Sequence, residues 1–332
     1  VGANPALGAA FGDLKAWGDK RVNEPLNVPV HRAGADGVWD FPDFKRGYQD
    51  ASGKWNWEWK FNTALQQRSA DVSNLGILYA ITGDEKYAAY AKRILLELAD
   101  AYGNGQGGAN ANGRDHFEAF GFDGGDAGML LAKACNGYDL IYNALSVEDR
   151  TRIERDLIRP LAEHLKAAKF MYTGHGRWDL VCLYGIFISG IVLEDQALVD
   201  PALYGLGGTK EKITGGFLSD FGPATLRDGV IWGGATKADD RMASVAVMTT
   251  VAEVMRHRGV DLYGYQGRAL KKAFDAAISG TPTATLVGMQ GVDAFWYAYR
   301  HYQDESYLAV VWELKPGFGF AIGEHLPVAA GK

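Results

Sequence analysis

From Ser69 onward, apolar side chains recur three and four residues apart. Val72, Leu75, Leu78 and Tyr79 lead into Thr82-Gly83-Asp84, where Gly83 predicts a helix stop and Asp84 a cap for the next helix. Tyr87, Tyr90, Ala91, Ile94, Leu95 and Leu98 then form the apolar stripe of a helix running from Glu85 to about Ala101. Together they predict an antiparallel hairpin with a very short turn. Further helical segments fall at roughly 126–144, 147–170, 178–193, 208–220, 239–258 and 266–279. Ser146, with Asp149 three residues on, reads as an N-cap related to the capping box. Leu180 to Leu193 is apolar on every face and predicts a core helix rather than a surface one.

The ends of the chain carry a different pattern. Residues 1–65 are rich in Gly, Pro, Asp and Trp with weak periodicity, which predicts an irregular arm with short helices. Within it, Trp55 and Trp57 alternate with polar residues, as an edge strand or an aromatic groove wall would. Tyr307 to Leu314 reads as a strand in a tail spanning 306–332. Hairpin after hairpin over 66–305 predicts an all-α fold in one domain, an incomplete α/α toroid whose inner helices and loops line a cleft. No exact repeat is visible.

Composition narrows the functional classes. With 332 residues and 47% hydrophobic content, the chain can bury one large core. A net charge of −6 argues against nucleic acid as a partner. It leaves an anionic ligand open, because a local cluster of Arg and Lys sets the potential of a cleft. Nine Trp and sixteen Tyr suit sugar stacking as well as a large core. Cys135 and Cys182 sit in apolar helical patterns, as free thiols or one bridge, with no metal-ligand spacing around them. No apolar run is long enough to span a membrane. The chain opens on Val1-Gly2-Ala3 without a Met or a leader, which fits a processed periplasmic or secreted protein, read here as a monomer.

Candidate chemistry concentrates in Thr173-Gly174-His175-Gly176-Arg177-Trp178. This glycine-flanked loop carries an imidazole, a guanidinium and an indole into the apolar helix that follows. A second loop, Gly103 to Gly113, is long and rich in Gly and Asn, contains Asn112 and leads to His116. Farther on, Lys237 and Arg241 flank the start of a helix whose Asp239 and Asp240 suit its positive end.

Thr173 to Trp178, running into an apolar helix, resembles the Asn-Asn-His-x-x-Trp motif of the alginate lyase superfamily, α/α-toroid polysaccharide lyases with heparinase-type lyases as distant relatives. Leu78 to Tyr87 is similar to that family's helix–turn–helix phrase, and Asn136 to Ile141 resembles its Ala-Tyr-Asp-Leu segment. Arg227 to Gly234 resembles its Asp-Gly-x-x-x-Glu-Gly segment; the likeness spans about residues 55–265. The resemblance implies β-elimination on a 1,4-linked uronan, alginate or glucuronan, without metal or cofactor. The C6 carboxylate is neutralised, a base takes the C5 proton, and an acid protonates the departing oxygen at C4. His175 matches the family's catalytic His, as base or as the group that neutralises the carboxylate. Two positions depart from the motif. Gly174 stands where an amide is expected, so Gln66, Asn112, Arg177 or Arg241 would have to replace it. No Tyr follows Gly234: either Tyr184, Tyr297 or Tyr299 serves, or Ala238 or Ala243 marks the position of a lost Tyr in an inactivated variant. The catalytic set implied is His175, Tyr184 and Arg241; Arg68, His116, Trp178 and Lys237 complete the substrate contacts with Trp55, Trp57, Gln66, Asn112 and Arg177. Two other classes compete: a hydrolase using Glu118, Asp123 and Asp126 as its carboxylates, and a non-catalytic uronan-binding protein.

Overall fold

The computed structural model describes residues 5–26, 28, 59–104, 124–167, 172, 177–220, 238–280 and 291–314, with four two-residue strands between 32 and 56. Helix α1 is Pro5–Arg21, α2 Trp59–Thr82, α3 Glu85–Asn104 and α4 Gly124–Ile141. After a 3-10 turn at Tyr142–Ala144 come α5, Val147–Ile153, a π turn at Glu154–Ile158, and α6, Arg159–Ala167. Then follow α7 Arg177–Val192, α8 Gln196–Tyr204, α9 Gly216–Asp220, α10 Ala238–His257 and α11 Tyr265–Gly280. Helices α12, Gly291–Tyr302, and α13, Glu305–Leu314, complete the described chain. The all-α class stands. The strands are two antiparallel pairs, Arg32–Ala33 with Trp39–Asp40 and Tyr48–Gln49 with Trp55–Asn56.

The caps follow the local chemistry. Gly83 takes φ +69, where a side chain would be strained, and ends α2. The Asp84 carboxylate then accepts the Lys86 amide at 3.2 Å and starts α3. Ser146 accepts the Asp149 amide at 3.1 Å at the head of α5.

Packing builds two layers. In one, α4 lies between α2 and α7, α7 meets α10, and α10 meets α12. In the other, α3 returns from α2, α8 from α7, α11 from α10 and α13 from α12. Helix α7 is the centre: every residue from Leu180 to Val192 is buried, which explains why its sequence has no polar face. Cys135 and Cys182 are free thiols in this core.

Four expectations are corrected. The N-terminal segment is not wholly irregular, because α1 runs seventeen residues and buries Leu14 and Arg21. Its glycines masked the periodicity, and Gly18 packs closely on α2: a Cβ there would stand 2.2 Å from the end of the Leu78 side chain, which would have to turn aside. The segment 208–220 is helical only at Gly216–Asp220, and the preceding helix is α8, whose Pro201 disguised it. Tyr307–Leu314 is helix, not strand. Asp304 caps it by accepting the Ser306 amide at 3.1 Å, and Tyr307, Val310 and Val311 bury one face at helical spacing. Lastly, α12, absent from the predicted segments, packs Ala294, Phe295 and Ala298 inward.

Candidate active site

The direction of the inner helices decides which residues can meet. Gln66 Nε2 donates to the Asp126 carbonyl at 2.7 Å. Farther along, Gly137 lies against Val72 and Gly76 against Leu140. Positions on α2 and α4 thus advance together, so the two run in the same direction. The same holds for α4 and α7. Gly128 lies against Val181 and Cys182, and Cys135 Sγ is 3.5 Å from Ser189 Oγ. The beginnings of α2, α4 and α7 therefore share one rim.

A second co-directional pair follows. Tyr263 Oη donates to Glu253 near the end of α10 at 3.1 Å, and Tyr302 Oη, at the end of α12, donates to the Tyr263 carbonyl at 3.0 Å. His301 stacks on the Tyr263 ring at 4.1 Å. Helices α10 and α12 thus end together, and their first turns lie at the opposite end of the pair.

The candidate residues fall into three groups. Arg177 and Trp178 open α7, and Ala238 and Arg241 lie in the first turn of α10. A helix start carries a positive end, the arrangement that receives a carboxylate. Trp55 lies in the strand pair that leads to α2. A second group has intramolecular partners. Gln66 joins α2 to α4 as described. Arg68 Nη1 stands 2.9 Å from Asp71 Oδ2, which also accepts Arg21 Nε at 2.8 Å. Asp71 is 1% exposed; burial pushes its carboxyl up to about 6 despite the pull of Arg21. Arg68 is thus bound into the tie between α1 and α2. A third group, His175, Asn112, His116, Trp57 and Lys237, lies outside the described residues, as do Glu118 and Asp123 of the hydrolase alternative.

The tyrosines separate by burial. Tyr184 is 4% exposed and Tyr297 7%, both in the core, whereas Tyr299 is half-buried on α12. Sequence reasoning overlooked Tyr172, the residue just before Thr173. It is 4% exposed, its hydroxyl has no hydrogen-bond partner among the described residues, and burial raises its pKa. Among the described residues, no group of three or more His, Cys, Asp or Glu could hold a metal ion. No described helix is long and apolar enough to cross a membrane.

No protein-family model matches the chain. It is 36% identical over 137 residues to an alginate lyase of Stenotrophomonas maltophilia, a match covering 39% of this chain and 17% of that protein. It is 30% identical over 142 residues to an exo-oligoalginate lyase of Saccharophagus degradans, covering 42% of this chain and 19% of that protein. The chain thus spans less than a fifth of the length of each of these relatives in the matched region. Over about two-fifths of its own length, the chain is similar to these two lyases.

Proposed function

We propose that the chain is a polysaccharide lyase that cleaves a 1,4-linked polyuronate, alginate or a related uronan, by β-elimination. The observation that carries the reading is the shared rim. Three co-directional helices begin there, one of them the buried α7, whose first residues, Arg177 and Trp178, end the Thr173–Trp178 motif. Each helix start carries roughly half an elementary positive charge. That rim suits a sugar carboxylate in a protein whose net charge is −6.

In this mechanism the C6 carboxylate sits at the start of α7 near Arg177, with Arg241 at the start of α10 as a second cation. His175 takes the C5 proton. The C5–H electron pair moves into an enolate on the neutralised carboxylate and then forms the C4–C5 double bond. The C4–O bond breaks, and an acid protonates the leaving oxygen. The product is a 4,5-unsaturated oligouronate. A periplasmic or secreted location fits a polymeric substrate of this kind.

The test is a panel of purified uronans followed by ultraviolet absorbance. The expected result is a new absorbance from the conjugated double bond, lost by at least about 100-fold in His175→Ala, the usual scale for a general base. Saturated products would assign a hydrolase. Saturable binding without turnover would assign a uronan-binding protein.

A further inference from the structure

Helix α12 is amphipathic with one anomaly. It buries Ala294, Phe295 and Ala298, yet Trp296 is 40% exposed. Among the residues whose side chains are described, no other Phe, Tyr or Trp reaches that openness. A single exposed hydrophobe needs no explanation. Trp296, however, is not alone. Tyr299 lies one turn on, with ring centroids 6.0 Å apart and planes 32° apart. Arg300, four residues from Trp296, falls on the same face and is exposed. Among the described residues no carboxylate pairs with Arg300, whereas Arg256 is held by Glu253 and Lys271 by Asp275 and Asp304. The stripe is also firmly mounted. Gln303, in left-handed backbone at φ 55, donates its amide to the Tyr299 carbonyl at 2.8 Å. Its side-chain nitrogen donates to the carbonyls of Tyr299 and Arg300 at 3.2 and 2.9 Å.

We infer that Trp296, Tyr299 and Arg300 form an outlying sugar subsite that takes one uronate residue of the polymer, and this rests on the polyuronate reading above. The exposed Trp296 ring, with the tilted Tyr299 ring beside it, offers an apolar surface to a pyranose face, and the guanidinium answers the carboxylate at the sugar's edge. From Trp296 to Arg300 is roughly 6 Å along the helix axis, the scale of one pyranose ring. Because α10 and α12 end together, Trp296 lies nearer that shared end than Arg241 does, by roughly 15 Å along the helix axes. The stripe is therefore several sugar units from the start of α10, where the mechanism puts a cation, and takes an outlying unit of a bound chain. A neutral glycan would use the rings and leave Arg300 idle; a uronate uses all three.

The experiment measures binding by calorimetry, with oligomannuronate and oligoguluronate as ligands and His175→Ala as the background that suppresses turnover. Trp296→Ala is expected to weaken binding roughly tenfold, the equivalent of one ring stacked on sugar. Trp296→Phe should retain most of the affinity, and Arg300→Gln should weaken binding of uronates but not of a neutral cello-oligosaccharide. All three positions are solvent-facing or half-buried, and melting temperatures within a few degrees of the parent establish that each variant is folded. If Trp296→Ala and Arg300→Gln both bind as tightly as the parent while the unmutated chain yields unsaturated products, the subsite fails and the lyase reading survives. If no unsaturated product forms but both substitutions weaken binding, the subsite stands without the lyase. Absence of any uronate binding overturns both.

Discussion

Tyr172 poses the sharpest question at the scale of single residues. A buried hydroxyl without a partner costs on the order of 1–3 kcal/mol, and the Tyr172 hydroxyl, at 4% exposure, has none among the described residues. Glu163 and Cys182 lie close enough to hold its proton more tightly, without bonding it. If the group is only a packing element, Tyr172→Phe should leave stability equal or raise it by about 1 kcal/mol, with turnover unchanged. If it serves the adjacent His175 loop, the same variant should keep that stability and lose kcat. Denaturant melts and single-turnover rates on one preparation separate the two outcomes. Ala238 poses the complementary question. It opens α10, three residues before Arg241, and the described tyrosines of α7 and α12 offer no equivalent at that position. Ala238→Tyr is expected to raise β-elimination by at least about tenfold; no rise in ultraviolet-absorbing product would remove Ala238 as the seat of a missing acid.

Among the elements, what the sequence reveals depends on whether the cause is local. Helices α3, α4, α7 and α10 were legible because an apolar pattern and sufficient length agree within each segment. Helix α8 hid behind Pro201, and α13 behind Val310-Val311, β-branched residues whose neighbours Tyr307 and Asp304 decide for helix. The candidate site divides in the same way. The His175 loop was legible as a motif, but the burial of Tyr184 and the pairing of Arg68 with Asp71 belong to partner helices that no local pattern encodes. The shared direction of α2, α4 and α7 is likewise a property of the interfaces. Its test is Gly128. A Cβ there would stand 2.5 Å from the Val181 carbonyl oxygen and 2.7 Å from Cys182 Cα. Those are backbone atoms of the central helix, so a side chain cannot be accommodated by a rotamer change. Gly128→Ala should cost at least about 1–3 kcal/mol, although alanine is intrinsically the better helix former. It should also reduce turnover by moving the start of α7 relative to α4. A variant more stable than the parent would show that α4 and α7 are not in this contact.

For the molecule as a whole, ionisable groups set a stability curve made of opposed parts. Asp84, Asp195 and Asp304 are each held below the usual carboxylate range, Asp304 at about 2, by cations, hydroxyls and backbone amides. Groups of this kind contribute stability above pH 4 and lose it as pH falls through their folded values. They are largely exposed, so each contributes little in salt. His301, lowered by burial, also disfavours acid, since the folded chain prefers its neutral ring. Asp71 works against them. Its folded pKa, about 6, lies above the unfolded value near 3.9, so its contribution is complete below about pH 4 and disappears as pH rises through 6. The tie between α1 and α2 is thus weaker at neutral pH than its two guanidinium contacts suggest, because the carboxylate in it is 1% exposed. The parent curve mixes these signs, and only a difference isolates one group. Asp71→Asn keeps the shape and an acceptor for Arg21 while removing the charge. Relative to the parent, it should gain on the order of 3 kcal/mol between pH 4 and pH 7, two pKa units' worth. Denaturant midpoints of both proteins across that range measure the gain. A constant offset between the two curves would mean that Asp71 titrates at its ordinary value and that its burial is compensated in full by Arg21 and Arg68.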